Sequence, residues 1–188
     1  DKANKIVTSL LTNRFTSKYF NCDDTECLTQ LELYWKYKDF DCRSRLDIVK
    51  INHKDKTILP IDVKTSGKST YNFLESIIRF RYDLQASFYT EALQWYIDNK
   101  EEYKGYKLLP FLFIVEHTDY PGLPLIYECT EKDIYCGKFG GTTKTGIRLK
   151  GFDELIEDLK WYYAYDSWDY TREVIENRGV VKINLFND

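Results

Sequence analysis

The 188-residue sequence predicts an α/β fold built around a three-strand antiparallel meander. Three strand-like segments follow one another between Thr29 and Lys64, and the short polar turns between them favour antiparallel pairing. A long segment with helical periodicity and a very apolar segment of strand length come next, at residues 71–97 and 108–116. No repeat or linker-like break interrupts this order. We therefore expect a single domain over residues 1–188, with a core at about 29–130 and C-terminal additions at 131–188.

The first half of the chain contains a helix and the meander. Apolar residues recur at helical spacing over residues 3–20, namely Ile6, Val7, Leu10, Leu11 and Phe15. Polar residues 21–26 predict a loop. Alternating apolar residues and β-branched or aromatic side chains then predict strands at residues 29–37, 42–51 and 57–64, with turns at 38–41 and 53–56.

The second half begins with a Ser/Gly/Thr-rich loop at residues 66–70, which leads into the long helix. A further strand is predicted at residues 125–129, and Thr130 with Asp133 forms the pattern of a capping box. The remaining predictions are a mobile loop or β-ribbon at 137–151, an amphipathic helix at 152–163 and a last strand at 180–186.

Composition and charge narrow the class of protein. Hydrophobic residues make up 43% of the chain and aromatic residues 16%, as in a globular protein. No segment predicts a membrane span or a secretory signal, so we expect a cytoplasmic location. The net charge of −3 argues against a non-specific DNA coat protein. It does not exclude a metal-dependent nuclease, because such an enzyme needs acidic ligands and its bound cations reverse the local field.

The first residue of the chain and the spacing of its cysteines give two further expectations. The sequence begins at Asp1 and contains no methionine, so we expect a processed end or a missing upstream segment. The five cysteines show no CxxC spacing. Reduced, partly buried thiols are the favoured interpretation over a zinc or iron–sulfur site assembled from distant segments.

The predicted hairpin of the second and third strands brings two carboxylates together. A tight turn centred on Lys54 and Asp55 places residues whose numbers sum to about 109 opposite one another, and Asp47 and Asp62 satisfy that sum. Opposed residues share a face, with Cβ atoms roughly 5 Å apart. Like charges in that position destabilise a sheet unless a cation lies between them.

Lys64 lies two residues beyond Asp62 and therefore shares its face. Carboxylates are hard ligands that suit Mg²⁺ or Mn²⁺, and the Val63 carbonyl between the two side chains is a further candidate ligand. A lysine beside such a cation can orient a water and stabilise charge that develops on phosphorus. The alternative is a solvent-facing hairpin with ordinary charged residues. Asp is depleted in strands, however, and these two interrupt apolar segments.

These motifs resemble those of the PD-(D/E)xK nuclease superfamily. The string Arg45-Leu46-Asp47 is followed after fourteen residues by Asp62-Val63-Lys64-Thr65. The long helix carries Tyr82, Gln85 and Tyr89 in an arrangement similar to the QxxxY motif of the RecB-like branch. The chain looks most like the phage-type RecE and λ-exonuclease-like nucleases, over about residues 31–116.

The resemblance implies a central mixed sheet flanked by helices, with a core like that of restriction endonucleases. It implies an exonuclease that cleaves linear duplex DNA ends with one or two Mg²⁺ or Mn²⁺ ions, in phage-type recombination or repair in a host cytoplasm. The partners it implies are DNA, a single-strand annealing protein and further copies of the chain, with no membrane.

The resemblance also assigns roles to individual residues. Asp47, Asp62 and the Val63 carbonyl would bind metal, Lys64 would be the catalytic lysine, and Gln85 and Tyr89 would support the active site. The candidate DNA contacts are Arg45, Thr65, Ser66 and Arg81. Gln85 and Tyr89 share one helical face, which Arg81 extends by a turn. Packing of Tyr89 in the core, with Gln85 at the surface, is the alternative.

The resemblance calls for one more upstream acidic ligand. The predicted first helix offers no Glu, Asp or His. Glu32 on the first strand is the candidate, with Glu26 behind it, and each is equally well explained as an exposed carboxylate. A missing ligand would favour a second function, a nucleic-acid-binding or assembly module with a weak or inactive site. A third interpretation is an unrelated α/β domain.

The other candidate features have ordinary explanations. His53 and His117 lie in predicted turns without a ligand partner and are interpreted as surface residues. The Gly-rich segment 137–146 does not match a phosphate-binding Walker loop, which excludes an NTPase of that type. A basic loop at residues 138–150 could contact phosphates, and the aromatic residues at 161–170 could stack on bases. A solvated loop and aromatic packing are the favoured interpretations.

Overall fold

The computed structural model describes residues 1–183 and contains a six-stranded mixed sheet with helices on both faces, which confirms the predicted fold class. The strand order is β1-β2-β3-β5-β6, and β4 pairs with β3. The strands are β1 (Glu26–Tyr37), β2 (Phe40–Asn52), β3 (Thr57–Ser66), β4 (Lys107–Leu108), β5 (Leu112–His117) and β6 (Leu125–Glu128). The α-helices up to residue 139 are α1 (Lys2–Thr12), α2 (Ser17–Phe20), α3 (Phe73–Phe80), α4 (Tyr82–Asp98) and α5 (Glu131–Phe139).

The meander is antiparallel as predicted, and β5 pairs with β3 in parallel. The parallel pair follows from the connection between them, because α3 and α4 carry the chain back to the starting end of the sheet. β2 and β3 pair in the predicted register, from Asn52 opposite Thr57 to Ile48 opposite Ile61. The ladder ends there, one residue before Asp47 and Asp62.

The two faces of the sheet bury different apolar clusters. On one face, α4 covers residues of β1–β3, among them Leu46, Val49 and Ile58, while Phe73 packs with Phe113 of β5. On the other face, Leu10 of α1 packs with residues of β3 and β5, namely Ile61, Leu112 and Ile114. Asp62 alternates with Ile61 and therefore lies on the α4 face.

The first two strands kink at Gln30. Its φ is 51°, and the pairing passes from Thr29 opposite Ile48 to Leu31 opposite Leu46 without pairing Gln30 and Asp47. On each strand, the two apolar residues that flank the kink are three apart in sequence. Because of the kink, both of them face the same apolar cluster. Beyond it, the hairpin packs against α4, where the rings of Trp35 and Phe88 are 4.8 Å apart.

Several predicted boundaries are wrong. The helix predicted over residues 3–20 ends at Thr12, because Asn13 is extended, and a short helix follows. The helix predicted over 71–97 breaks at Arg81, which has a left-handed backbone with φ 54° between α3 and α4. The strand predicted at 108–116 is interrupted at residues 109–111. Of the strand predicted at 180–186, residues 180–183 are not in a strand and residues 184–186 lie outside the described residues.

Contacts divide the chain into two compact units, Asp1–Lys138 and Phe139–Asp188. The second unit contains the strands β7 (Gly141–Thr142) and β8 (Arg148–Leu149) and the helices α6 (Phe152–Tyr165) and α7 (Arg172–Glu176). The short strands form the β-ribbon that was one of the two alternatives. Aromatic side chains of α6 stack on one another and on Trp168, and several rings of residues 161–170 are exposed, namely Tyr163, Tyr165, Trp168 and Tyr170. In the first unit, Thr130 and Asp133 form the predicted capping box.

The cysteines depart from the prediction of reduced thiols at one place. Cys22 and Cys27 form a disulfide that closes the loop between α2 and β1, where chain reversal brings their Cα atoms to 5.9 Å. Cys42, Cys129 and Cys136 are free thiols. No helix in the described part of the chain combines the length and apolar character that a membrane span needs.

Candidate active site

Asp62 and Lys64 form a nearly buried ion pair on β3. Alternation along the strand points both side chains toward α4, and only 3% of Asp62 is exposed. The Lys64 Nζ lies 2.6 Å from the Asp62 Oδ2 and 4.7 Å from the centre of the Tyr82 ring. The aromatic wall around the lysine shields the pair from water and strengthens their attraction.

Gln85 holds the other oxygen of Asp62. Gln85 lies in the first turn of α4, which begins at Tyr82 and packs on this face of the sheet. The Gln85 Nε2 donates a hydrogen bond to the Asp62 Oδ1 at 2.7 Å. The predicted grouping of Asp62, Lys64 and Gln85 is therefore present. A hydrogen bond to an ionised acceptor is roughly twice as strong as a neutral one, which makes Gln85 a firm support for this carboxylate.

Asp47 lies beside this group because the strands kink there. Its Oδ2 accepts a hydrogen bond from the Val63 backbone N–H at 3.0 Å, and its Oδ1 accepts one from the Gln30 Nε2 at 3.0 Å. The Asp47 side chain thus takes the place of a backbone partner where the β2–β3 ladder has ended. Each oxygen retains lone-pair capacity for another donor or a cation.

The Asp47 and Asp62 carboxylates repel each other, and this repulsion is one of several influences on the pKa of Asp62. Burial raises the pKa of Asp62 above its usual value, the nearby Lys64 ammonium lowers it, and the Asp47 carboxylate raises it again. The Asp62 Oδ2 is buried, and its partner is the Lys64 ammonium at 2.6 Å. A buried carboxylate oxygen with a single such partner still has a lone pair available for a further ligand.

The donor set fits a magnesium-type cation. Among residues 1–183 no three His, Cys, Asp or Glu side chains converge on one point, so a fully protein-built cage is not formed there. Mg²⁺ commonly needs only one or two carboxylates, because it keeps several of its waters. Asp47, Asp62 and the Val63 carbonyl satisfy that requirement in chemical type.

The structure does not bring the upstream acidic candidates to this group. The Glu32 carboxylate is exposed and pairs with Arg43 at 2.7 Å, which lowers its pKa. Glu26 accepts a hydrogen bond from His53 at the opposite end of the β2–β3 hairpin. The role of Glu32 as a metal ligand stays a prediction.

Two further predicted residues have other surroundings. The Tyr89 ring packs in the apolar clusters, 6.4 Å from the Phe111 ring, as the core-packing alternative expects. Arg81 is not on the face of α4 but at the break before it, where it makes two hydrogen bonds to Asp83.

The remaining candidate DNA contacts lie on β2 and at the end of β3. Arg45 is exposed on β2, and Thr65 is exposed on β3. Ser66 is buried, and its hydroxyl accepts a hydrogen bond from the Lys68 N–H at 3.1 Å. Their contacts with DNA stay predictions.

Sequence reasoning missed Gln30, Tyr82 as a wall of the site, and Glu116. Gln30 had a readable signal, because the apolar residues Leu28 and Leu31 are spaced by three where a regular strand would space them by two. Glu116 had none: it is fully buried on the α1 face, where it accepts hydrogen bonds from the Ser9 hydroxyl and the Gly122 N–H.

A surface cavity of about 620 Å³ lies elsewhere, along α1 and the loop at residues 119–122. It does not include Asp47, Asp62 or Lys64. A polymer substrate binds along an open surface, so we assign the candidate site from the chemistry of its side chains and not from cavity size.

Comparison with known proteins adds little to this assignment. No family model and no curated protein matches the chain. One similar solved structure is a protein from Eubacterium rectale that is described provisionally as an exonuclease, with 16% sequence identity and a TM-score of 0.49. The match covers 71% of this chain and 46% of the other, so this chain spans less than half of that protein. At that similarity the match does not decide the function.

Proposed function

We propose that the chain is a metal-dependent nuclease that hydrolyses phosphodiester bonds of DNA. The observation that carries the proposal is the buried Asp62, held between Lys64 and Gln85 with the Asp47 carboxylate beside it. Burial and a like-charged neighbour are costly to stability, and perturbed groups of this kind cluster at functional sites.

Each residue has a role that its position supports. Asp47, Asp62 and the Val63 carbonyl would hold Mg²⁺ or Mn²⁺, one or two ions. When bound, the cation would polarise the phosphate and lower the pKa of its water. Lys64 would donate a hydrogen bond to the attacking water or to a phosphate oxygen, where charge develops in the transition state. Gln85 would keep the Asp62 carboxylate in one orientation, and Tyr82 would exclude bulk water.

The finer proposal is an exonuclease that acts on linear duplex ends in phage-type recombination or repair, within a host cytoplasm. It rests on the resemblance of the Asp47, Asp62–Lys64 and Gln85–Tyr89 motifs to RecE-like and λ-exonuclease-like nucleases. A single-strand annealing protein and further copies of the chain are the proposed partners on the same basis.

The second candidate is a nucleic-acid-binding or assembly module on this fold with little or no cleavage. The observation that favours it is the donor set of only two carboxylates among the described residues. A weak cation site would leave the sheet and its DNA-binding surface intact while removing the catalytic step.

The test is cleavage of linear and nicked circular DNA with Mg²⁺ or Mn²⁺. We expect Asp62→Asn and Lys64→Met to lower the rate by at least a hundredfold, since each removes a group that touches the reacting phosphate or its cation. Asp98→Asn and Lys107→Met are the matched controls, because both residues are exposed and lie away from the site. Equal activity of the wild type and all four variants would reject the nuclease, whereas DNA binding without cleavage would favour the second candidate.

A further inference from the structure

We propose that Gln30 is a positioning residue of the cation site and acts by holding the Asp47 carboxylate in its ligand orientation. The inference rests on the metal-dependent function proposed above. It adds a residue from β1 that neither the sequence motifs nor the comparisons assign.

The backbone at Gln30 is the first observation. A φ of 51° is unfavourable for a residue that is not glycine, and such conformations persist where the surrounding structure requires them. Here the conformation removes both Gln30 and Asp47 from the β1–β2 ladder. The kink therefore releases the Asp47 side chain from its place in a regular sheet, at the point where β3 presents Asp62.

The hydrogen bonds of Asp47 are the second observation, independent of the backbone. The Gln30 amide donates to one oxygen and the Val63 N–H to the other, at 3.0 Å each. Residues from β1 and β3 thus fix a carboxylate that β2 carries. Two donors, one on each oxygen, leave a single preferred orientation of the group.

The chemistry of an amide suits this role. An amide donates a hydrogen bond without carrying a net charge, so it stabilises the ionised Asp47 and leaves its attraction for a cation intact. A lysine or arginine in the same place would compete with the cation for the carboxylate. Residues that orient metal ligands by hydrogen bonds commonly change metal affinity by 10- to 100-fold when they are replaced.

The test compares Mn²⁺ affinity in Gln30→Gly and in the wild type by isothermal titration calorimetry. Glycine accepts the left-handed backbone and removes only the amide side chain. We expect Mn²⁺ to bind about tenfold more weakly. The rate of DNA cleavage at saturating Mn²⁺ should stay within twofold of the wild type, because the amide orients a ligand and does not touch the substrate. All titrations are run at a temperature at which circular dichroism shows each variant folded.

Lys56→Gly is the matched control, because Lys56 has a φ of 50° in the β2–β3 turn, at the far end of the hairpin. Its Mn²⁺ affinity should equal that of the wild type. Unchanged affinity in Gln30→Gly would overturn the inference, as would equal weakening in the control or a lasting loss of rate at saturating Mn²⁺. Failure of the wild type to bind Mn²⁺ would instead reject the metal-dependent function itself.

Discussion

Replacing Gln85 with methionine tests whether the buried carboxylate depends on its amide partner. Methionine keeps the length of the side chain but cannot donate to the Asp62 Oδ1, which Gln85 contacts at 2.7 Å. Because Asp62 is only 3% exposed, water replaces the lost donor poorly. A hydrogen bond to a charged group contributes about 1.5–3 kcal/mol, so we expect the free energy of unfolding to fall by about 2 kcal/mol. For a chain of this size the melting temperature then falls by roughly 4–8 °C.

The loss should depend on pH, with a definite sign. The Gln85 hydrogen bond lowers the pKa of Asp62, although burial keeps that pKa above its usual value. The variant therefore has a still higher pKa in the folded state. The stability difference between the two proteins is fully present where the pH is high enough to ionise Asp62 in both, and it shrinks as the pH falls through the raised pKa and the carboxylate becomes protonated.

The measurement is urea denaturation followed by circular dichroism, in EDTA, from neutral to acid pH. Gln94→Met is the matched control, because Gln94 donates to Asp98 at 2.8 Å on the exposed face of the same helix. We expect the control to change stability by less than about 0.5 kcal/mol. A pH-independent loss in Gln85→Met, or a loss no larger than that of the control, would refute the reasoning.

Two further substitutions test how the helices are held on the sheet. Glu116→Gln replaces one of the two acceptor oxygens by an amide NH2, so either the Ser9 and Gly122 donors or the His117 N–H lose their acceptor. We expect a loss of about 1–3 kcal/mol, measured by thermal denaturation, and an unchanged melting temperature would contradict the buried network. Gly137→Ala would press a Cβ against the Ser87 hydroxyl and the neighbouring backbone of α4, so we expect a loss of about 1–3 kcal/mol with α5 displaced, and proteolysis confined to that helix is the measurable sign.

The hairpin register was accessible to sequence reasoning because it depends on local chemistry. A four-residue polar turn at 53–56 fixes which residues face each other, and the observed pairs follow from it as far as Ile48 and Ile61. The alternation of β3 then places Asp62 and Lys64 on one face, which needs no long-range information. The kink at Gln30 was also encoded, in the three-residue spacing of apolar side chains, but its effect on Asp47 depends on two neighbouring strands.

The helices show the opposite case. Periodicity continues across Arg81, so the sequence alone predicts one helix over 71–97, whereas the structure breaks it with a left-handed residue. Packing decides this, since Phe73 must reach Phe113 while Gln85 reaches Asp62 on the same sheet. The same holds for Tyr89, whose place in a motif does not reveal that its ring lies between two apolar clusters.

The sequence by itself determined the α/β class, the meander, and the grouping of Asp62 with Lys64, because turns and strand alternation act over a few residues. Only the tertiary structure decided that Asp62 is buried, that Gln85 and Gln30 hold the two carboxylates, and that Glu32 pairs with Arg43 away from them. Burial and hydrogen-bond partners arise when distant segments pack together. Desolvation then sets the raised pKa of Asp62, a property that no local pattern carries.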